Sequence, residues 1–111
     1  MDQFLIIIKG NYIMPQTPEE VQKSLGLFND WVQKVLNGRF VTGAPLDRSE
    51  GRYLKSKTDV LTDGPFIESK EMISGYMVIN ATGIDEATEL VKQCPLINNY
   101  QLEVRLLKPM V

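Results

Sequence analysis

The sequence predicts an α+β domain in which two helices cover one face of an antiparallel sheet. Three observations support this prediction. Strand-like and helix-like segments follow one another in the order β-α-β-(hairpin)-β-α-β, the first strand is apolar on both faces, and the last is apolar on only one. With 111 residues, of which 43% are hydrophobic and 23% charged, the chain has the size and composition of a single domain spanning residues 1–111.

The first strand is predicted at Phe4–Ile8, a β-branched run whose two apolar faces are typical of the centre of a sheet. The first helix is predicted to begin at Pro18. Thr17 before it is a favourable N-cap, and proline is favourable in the first turn. Glu20 lies three residues after the cap, from where its carboxylate can reach the Thr17 amide. Together these residues form the capping pattern of a helix start.

The body of this helix is an apolar stripe of about twenty residues that ends at Asn37 and Gly38, a pair suited to a left-handed cap. The stripe consists of Val21, Leu25, Leu27, Phe28, Trp31, Val32, Val35 and Leu36. A second strand is predicted within Arg39–Leu46. It weakens towards its end because Gly43 and Pro45 are poor strand formers.

A polar, exposed hairpin is predicted at residues 52–62. Ser74–Asn80 is a strand bounded by turn residues. In Tyr100–Leu106, apolar and polar side chains alternate with the period of two that a strand with unlike faces shows. Glu103 and Arg105 belong to the polar face of this last strand.

A second, short helix is predicted before the last strand. Thr82 is its predicted N-cap, Asp85 follows three residues later, and Pro95 stops the helix. The predicted apolar face of this helix consists of Ile84, Ala87, Leu90, Val91 and Cys94.

The order of elements matches the ferredoxin-like split βαβ arrangement, in which both helices pack on one face of the sheet. The other face is then open, although Phe4–Ile8 is apolar on both sides and residues 76–79 have little polarity on either. A monomer rarely exposes so large an apolar patch. We therefore expect the sheet of a second, identical chain to cover it, and partial shielding by residues 43–70 is the alternative.

Composition argues against several classes of function. The formal net charge is −2, so neither a nucleic acid nor an anionic membrane is an expected partner. The chain has no His and one Cys, which argues against a metal site, and nothing in it indicates a cofactor. Cys94 cannot form an internal disulfide, no apolar run approaches the ~20 residues of a membrane span, and the first residues lack the basic start of a signal peptide. We therefore expect a cytoplasmic protein.

The segment Thr62–Glu71, which reads TDGPFIESKE and is followed by Gly75 and Tyr76, resembles the signature of the YCII-related family, often called DGPF-domain proteins. We call this segment the DGPF motif. The resemblance extends over nearly the whole chain, and includes Asp85-Glu86-Ala87, Cys94-Pro95 and Glu103-Val104-Arg105. It implies a ferredoxin-like domain that dimerises into an α/β barrel, in agreement with the open apolar face.

The resemblance implies less about activity. The broader YCII group resembles an enzyme family in which a His and an Asp near a dimer cleft are proposed to act as a catalytic pair. This chain has no His, so the pair cannot be carried over, and chemistry that needs an imidazole near neutral pH is not expected. The chain also has Leu106 where many relatives have proline. Relatives can be associated with transcription regulators of the sigma-factor type, which makes such a regulator a candidate partner.

The DGPF motif contains the candidate catalytic residues Asp63, Glu68 and Lys70, because acid–base chemistry requires a proton acceptor and a cation that holds an anion. The candidate ligand-binding residues are Gly64, Pro65, Phe66, Glu71, Tyr76, Glu103 and Arg105. The alternative is structural. Asp-Gly-Pro is turn chemistry that only closes one end of the barrel, and Glu103 with Arg105 is then an exposed cross-strand salt bridge.

Three functions stay open on the sequence alone. The first is binding of a small polar or anionic metabolite in a cleft of a homodimeric barrel, with acid–base enzymatic activity. The second is a non-catalytic regulatory module that binds a ligand in the same pocket, and the third is a purely structural dimer. Convergence of Asp63, Lys70 and Arg105 in one pocket would favour the enzyme.

Overall fold

The computed structural model describes residues 1–10, 17–47, 49–61 and 72–110. In these ranges a four-stranded sheet and a separate two-stranded hairpin are present. The strands are β1 (Asp2–Lys9), β2 (Phe40–Pro45), β3 (Tyr53–Leu54), β4 (Val60–Leu61), β5 (Ile73–Ala81) and β6 (Gln101–Leu106). The helices are α1 (Pro18–Asp30), a π-helical continuation of it (Trp31–Leu36), α2 (Ile84–Lys92) and a 3₁₀ helix (Pro95–Asn98).

The main sheet has the strand order β2-β5-β1-β6, and every neighbouring pair is antiparallel. The predicted α+β architecture is thereby confirmed, and this is the ferredoxin-like strand order. Helix α1 connects β1 to β2 across β5, and α2 connects β5 to β6 across β1. The polar hairpin predicted at residues 52–62 is also present, as β3 paired with β4.

Helix α1 begins where the sequence predicts. The Thr17 hydroxyl accepts a hydrogen bond from the Glu20 amide at 3.2 Å, and Pro18 occupies the first turn. The π-helical continuation ends at Asn37, whose φ of 47° is the expected left-handed cap and whose amide donates to the Val32 carbonyl. Both predicted ends of the helix are therefore confirmed.

The start of helix α2 differs from the prediction. Its N-cap is Gly83, so the assignment of Thr82 to that position is wrong by one residue. The Glu86 carboxylate accepts from the Thr82 amide at 3.0 Å, and this bond from within the first turn satisfies an amide at the helix start. Ile84 is 50% exposed and does not belong to the buried face of α2. No helix in the described ranges is long and apolar enough to cross a membrane.

The core lies between one face of the sheet and the two helices. Its buried side chains are Phe4, Ile6, Ile8, Trp31, Leu36, Met77, Ile79, Ala81, Ala87, Val91 and Cys94. The indole Nε1–H of Trp31 donates to the Leu90 carbonyl at 3.0 Å. This hydrogen bond joins the continuation of α1 to α2 within the core.

The predicted apolar stripe of α1 is buried in its second half only. Trp31 and Leu36 are buried, whereas Val21, Leu25 and Leu27 are 40%, 52% and 50% exposed. The first half of the stripe therefore does not belong to the core. A cavity that is lined by Ser24, Leu25 and Phe28 lies beside this half of α1.

Candidate functional site

A cavity of about 280 Å³ lies on the helix side of the sheet. Its walls come from α1, from β1, β2 and the first half of β5, from the 3₁₀ helix, and from the residue before β6. The lining includes Ser24, Leu25, Phe28, Phe40, Leu96 and Tyr100. Apolar groups dominate the lining, and no described lining residue carries a formal charge. The cavity is the concave, mainly apolar kind of site that holds small molecules in proteins.

Two glycines bring β2 and β5 close together in the wall of this cavity. A Cβ atom on Gly43 would lie 2.8 Å from the Tyr76 carbonyl oxygen. One on Gly75 would lie 2.9 Å from the Ala44 carbonyl oxygen. Such contacts are shorter than real Cβ contacts, so a larger residue at either position would push the two strands apart. The absence of side chains here also leaves the cavity open, because both glycines line it.

Three parts of the chain are tied together at one end of the cavity. The Gly10 amide donates to the Met72 carbonyl at 2.8 Å, and the Leu46 amide donates to the Ser74 carbonyl at 2.8 Å. The Ser74 hydroxyl donates to the Gly10 carbonyl, and Ser74 lines the cavity. Met72, the first described residue after the DGPF motif in sequence, lies two residues before Ser74.

Most predicted site residues lie outside the described residues. These are the catalytic candidates Asp63, Glu68 and Lys70, and the ligand-binding candidates Gly64, Pro65, Phe66 and Glu71. Their roles, and the convergence of Asp63 and Lys70 with Arg105, stay predictions.

The other three predicted residues, Tyr76, Glu103 and Arg105, share the face of the sheet opposite the helices, which we call the open face, and Tyr76 is also among the residues that line the cavity. Tyr76 pairs with Ile7, and Ile7 pairs with Glu103, so these three form one row across β5, β1 and β6. Leu5 pairs with Arg105 in the next row. Since Leu102 and Val104 of β6 pack against the core, the expectation that Glu103 and Arg105 point away from the helices is confirmed.

Glu103 is the centre of an ion cluster on the open face. Its Oε1 accepts from Lys9 Nζ at 2.8 Å, and its Oε2 accepts from Arg105 Nη1 at 3.1 Å. The hydrogen bond from Lys9, followed by that from Arg105, lowers the pKa of the Glu103 carboxyl below its usual value. We call these three residues the open-face cluster.

Sequence reasoning missed Lys9 and the cavity-lining residues of α1. The alternation of Leu5, Ile7 and Lys9 places Lys9 on the open face, but its ion pair with Glu103 requires the register of β1 with β6. Ser24 and Phe28 follow the helical period of any buried stripe. The sequence carries no signal that distinguishes a helix packed on the sheet from one that stands off it.

Cys94 belongs to the core and not to the site. It is 1% exposed, and burial raises the pKa of its thiol to about 11. The thiol is therefore protonated at neutral pH and unreactive, as expected for a buried cysteine, although Cys94 lies beyond the end of α2 and the prediction that it belongs to that helix is wrong. Within the described part of the chain, no group of three or more His, Cys, Asp or Glu residues is arranged to hold a metal ion.

The fold and the cavity together define a small ferredoxin-like α+β protein with a candidate small-molecule site on the helix side of its sheet. A family model described as the YCII-related domain matches residues 11–111. The chain therefore belongs to the YCII-related domain family, as the DGPF motif indicated.

The chain is also similar to a solved structure of 5-chloro-2-hydroxyhydroquinone dehydrochlorinase from Burkholderia phenoliruptrix AC1100, determined as a complex with 2,5-dihydroxybenzoquinone. The match has a TM-score of 0.54 and 17% sequence identity, and it covers 96% of this chain and 93% of that one. At this identity the similarity is one of fold. No curated protein matches the sequence.

Proposed function

We propose that this YCII-related protein binds a small, mainly apolar ring compound in the cavity between α1 and the sheet. The observation that carries the proposal is the size and lining of the cavity. Its volume of about 280 Å³ is larger than the ~150 Å³ that suffices for benzene in an engineered apolar cavity. One or two rings with small substituents are therefore the matching class of ligand.

The polar groups of the described lining favour a neutral ligand with few hydrogen-bonding substituents. The lining residues that carry hydroxyl groups are Ser24, Ser74 and Tyr100, of which Ser74 already donates to the Gly10 carbonyl, and Phe28 and Phe40 are aromatic. A charged ligand group would be costly to bury here without a charged partner. The sequence predicts a polar or anionic metabolite instead, and that prediction depends on the charged residues of the DGPF motif. The compound named for the similar structure, 2,5-dihydroxybenzoquinone, supports a single-ring ligand by its ring alone, because its four oxygens make it more polar than the compounds proposed here.

Acid–base catalysis on the bound compound is the second candidate function. It is favoured by the backbone hydrogen bond of 2.8 Å from the Gly10 amide to the carbonyl of Met72, the residue that follows the DGPF motif in sequence, since Gly10 is also bonded to the cavity-lining Ser74. The described lining contains no carboxylate. In this proposal Asp63 or Glu68 accepts the proton and Lys70 holds an anionic group of the substrate. A non-catalytic regulatory module, with a transcription regulator as its partner, is the alternative that uses the same cavity.

We also propose that a second copy of the chain covers the open face. Leu5 and Ile7 of β1 and Tyr76 and Val78 of β5 are neighbours on this face and form an apolar centre that no described helix covers. A face-to-face pairing of two identical sheets buries this centre in both copies.

The cavity proposal is tested by filling the cavity from α1. Ser24 is exposed and lines the cavity, so Ser24→Leu should obstruct it without disturbing the core. The exposed Gln22, which does not line the cavity, gives the matched control Gln22→Leu. Isothermal titration calorimetry with a panel of one- and two-ring phenols and quinones should show binding to the wild type and the control, and at least tenfold weaker binding to Ser24→Leu. Equal affinities in all three proteins, or no binding of any compound at millimolar concentration, would disprove the cavity proposal.

The pairing proposal has an independent test. Light scattering at micromolar concentration should give about twice the 12.6 kDa of one chain. Ile7→Lys places a second positive charge beside the excess cation of the open-face cluster and should yield a monomer, because an unpaired charge is costly in an apolar interface. Val21→Lys, on an exposed position of α1, should remain dimeric. A wild-type monomer would refute the pairing.

A further inference from the structure

The open-face cluster contains more positive than negative charge. Both carboxylate oxygens of Glu103 are occupied, one by Lys9 and the other by Arg105. One carboxylate therefore faces two cations, and the cluster has a net charge of +1. Lys9 and Arg105 each use one donor towards Glu103, whereas an ammonium has three donors and a guanidinium five.

The cluster lies at the border between the apolar centre of the open face and solvent. Glu103 pairs with Ile7 and Arg105 pairs with Leu5, so the charged residues adjoin the apolar ones across β1 and β6. The side chains of Lys9 and Glu103 are each 34% exposed, and that of Arg105 is 68% exposed. A second copy over the open face would remove water from these groups, and an unbalanced charge in that setting needs a counter-charge.

The described strands of the partner cannot supply this counter-charge. Glu103 is the only acidic residue that the register of the described main-sheet strands places on the open face, and it is already bonded to both cations. In a symmetric pair, the second copy brings the same residues and therefore a second excess positive charge. Two open faces in contact would then carry a charge of +2.

We infer that the paired open faces contain a binding site for small anions, in which a carboxylate or phosphate group accepts hydrogen bonds from the spare donors of Lys9 and Arg105. The planar guanidinium of Arg105 is suited to two oxygens of such a group, and Lys9 adds a point charge. The inference rests on the pairing proposed above, because the site gains its strength only when the second copy excludes water.

Such a site links anion binding to dimerisation. An anion that binds the dimer and not the monomer stabilises the dimer by mass action. With one site in each copy and the anion at ten times its Kd, the dimer dissociation constant falls by about 100-fold.

The test compares dimerisation in two salts. Analytical ultracentrifugation at pH 7 measures the dimer dissociation constant in sodium phosphate and in sodium chloride of equal ionic strength. The wild type should dimerise at least tenfold more tightly in phosphate. Arg105→Gln removes the excess charge, so it should dimerise equally in both salts and more tightly than the wild type in chloride. Lys9→Gln should lose the response to phosphate as well. Lys92→Gln, which changes an exposed lysine paired with Glu89 on α2, should keep the wild-type response.

The outcomes separate this inference from the pairing on which it rests. A wild-type dimer with equal dissociation constants in the two salts would overturn the anion site and leave the pairing intact. The same holds if Arg105→Gln and Lys9→Gln respond to phosphate as the wild type does. A protein that is monomeric in both salts would overturn both the pairing and the anion site.

Discussion

Replacing Gly75 by alanine tests the close approach of strands β2 and β5. A Cβ at this position would lie 2.9 Å from the Ala44 carbonyl oxygen, 3.2 Å from the Pro45 Cα and 3.4 Å from the Ile8 Cδ1. The first two contacts are with backbone atoms, so strand β2 must move. Overpacking of this kind costs about 1–3 kcal/mol. The smaller conformational entropy of alanine in the unfolded chain returns about 0.4–1 kcal/mol. The difference between these two ranges is a net loss of unfolding free energy of about 0–2.6 kcal/mol, centred on about 1.3 kcal/mol.

The same substitution at Gly26 is the matched control. Gly26 lies in the exposed middle of α1, and a Cβ there meets nothing within 4 Å. Gly26→Ala should stabilise the protein by about 1 kcal/mol, because alanine is a better helix former than glycine. Chemical denaturation measures both changes, and each kcal/mol corresponds to a shift in Tm of roughly 4–8 °C for a domain near this size. Gly75→Ala should also weaken ligand binding, since β2 and Gly75 line the cavity. A Gly75→Ala protein more stable than the wild type, as Gly26→Ala is expected to be, would refute the steric argument.

Three further predictions concern the cap of α1, the DGPF motif and the core thiol. Thr17→Ala should lower the unfolding free energy by roughly 0.5–2 kcal/mol in chemical denaturation and leave ligand binding unchanged, and an unaltered stability would mean that the cap contributes nothing. If Asp63 ionises beside a cation, Asp63→Asn should weaken ligand binding or turnover and leave stability unchanged or raised. A folded variant that binds the ligand with wild-type affinity would show that the motif has only a structural role. Because the pKa of Cys94 is raised to about 11, the unfolded chain ionises first as pH rises. Stability should therefore fall between about pH 8.5 and pH 11, more steeply than in Cys94→Ala. Parallel pH profiles of the two proteins would contradict this.

The order of elements could be predicted from the sequence because local signals specify it. Thr17 and Pro18 mark the start of α1, and Asn37 marks its end through a backbone conformation that few residues adopt. The strand order then follows from the rules for right-handed connections, which do not depend on details of packing. At Thr82 the sequence pattern was misleading. Gly83 is the N-cap of α2, and the backbone amide of Thr82 donates to the Glu86 carboxylate.

The site could be predicted only in part. The period-two pattern of β6 places Glu103 and Arg105 on one face, and this is independent of the rest of the fold. The third member of the cluster, Lys9, is 94 positions away in sequence, so its contact depends on the register of two distant strands. The cavity depends on how far α1 stands from the sheet, and a helical stripe such as Leu25 and Phe28 is compatible with either distance.

The position of Trp31 has a consequence for how this protein can be observed. It is the only tryptophan of the chain, it is 3% exposed, and its indole is hydrogen-bonded to α2. Its ring centroid lies 5.8 Å from that of Phe28, and Phe28 lines the cavity. The molecule thus contains a single tryptophan fluorophore, excitable apart from the four tyrosines, in the second layer of the cavity wall. Its emission comes from one site, so a change in intensity or wavelength reports on that wall without an attached dye.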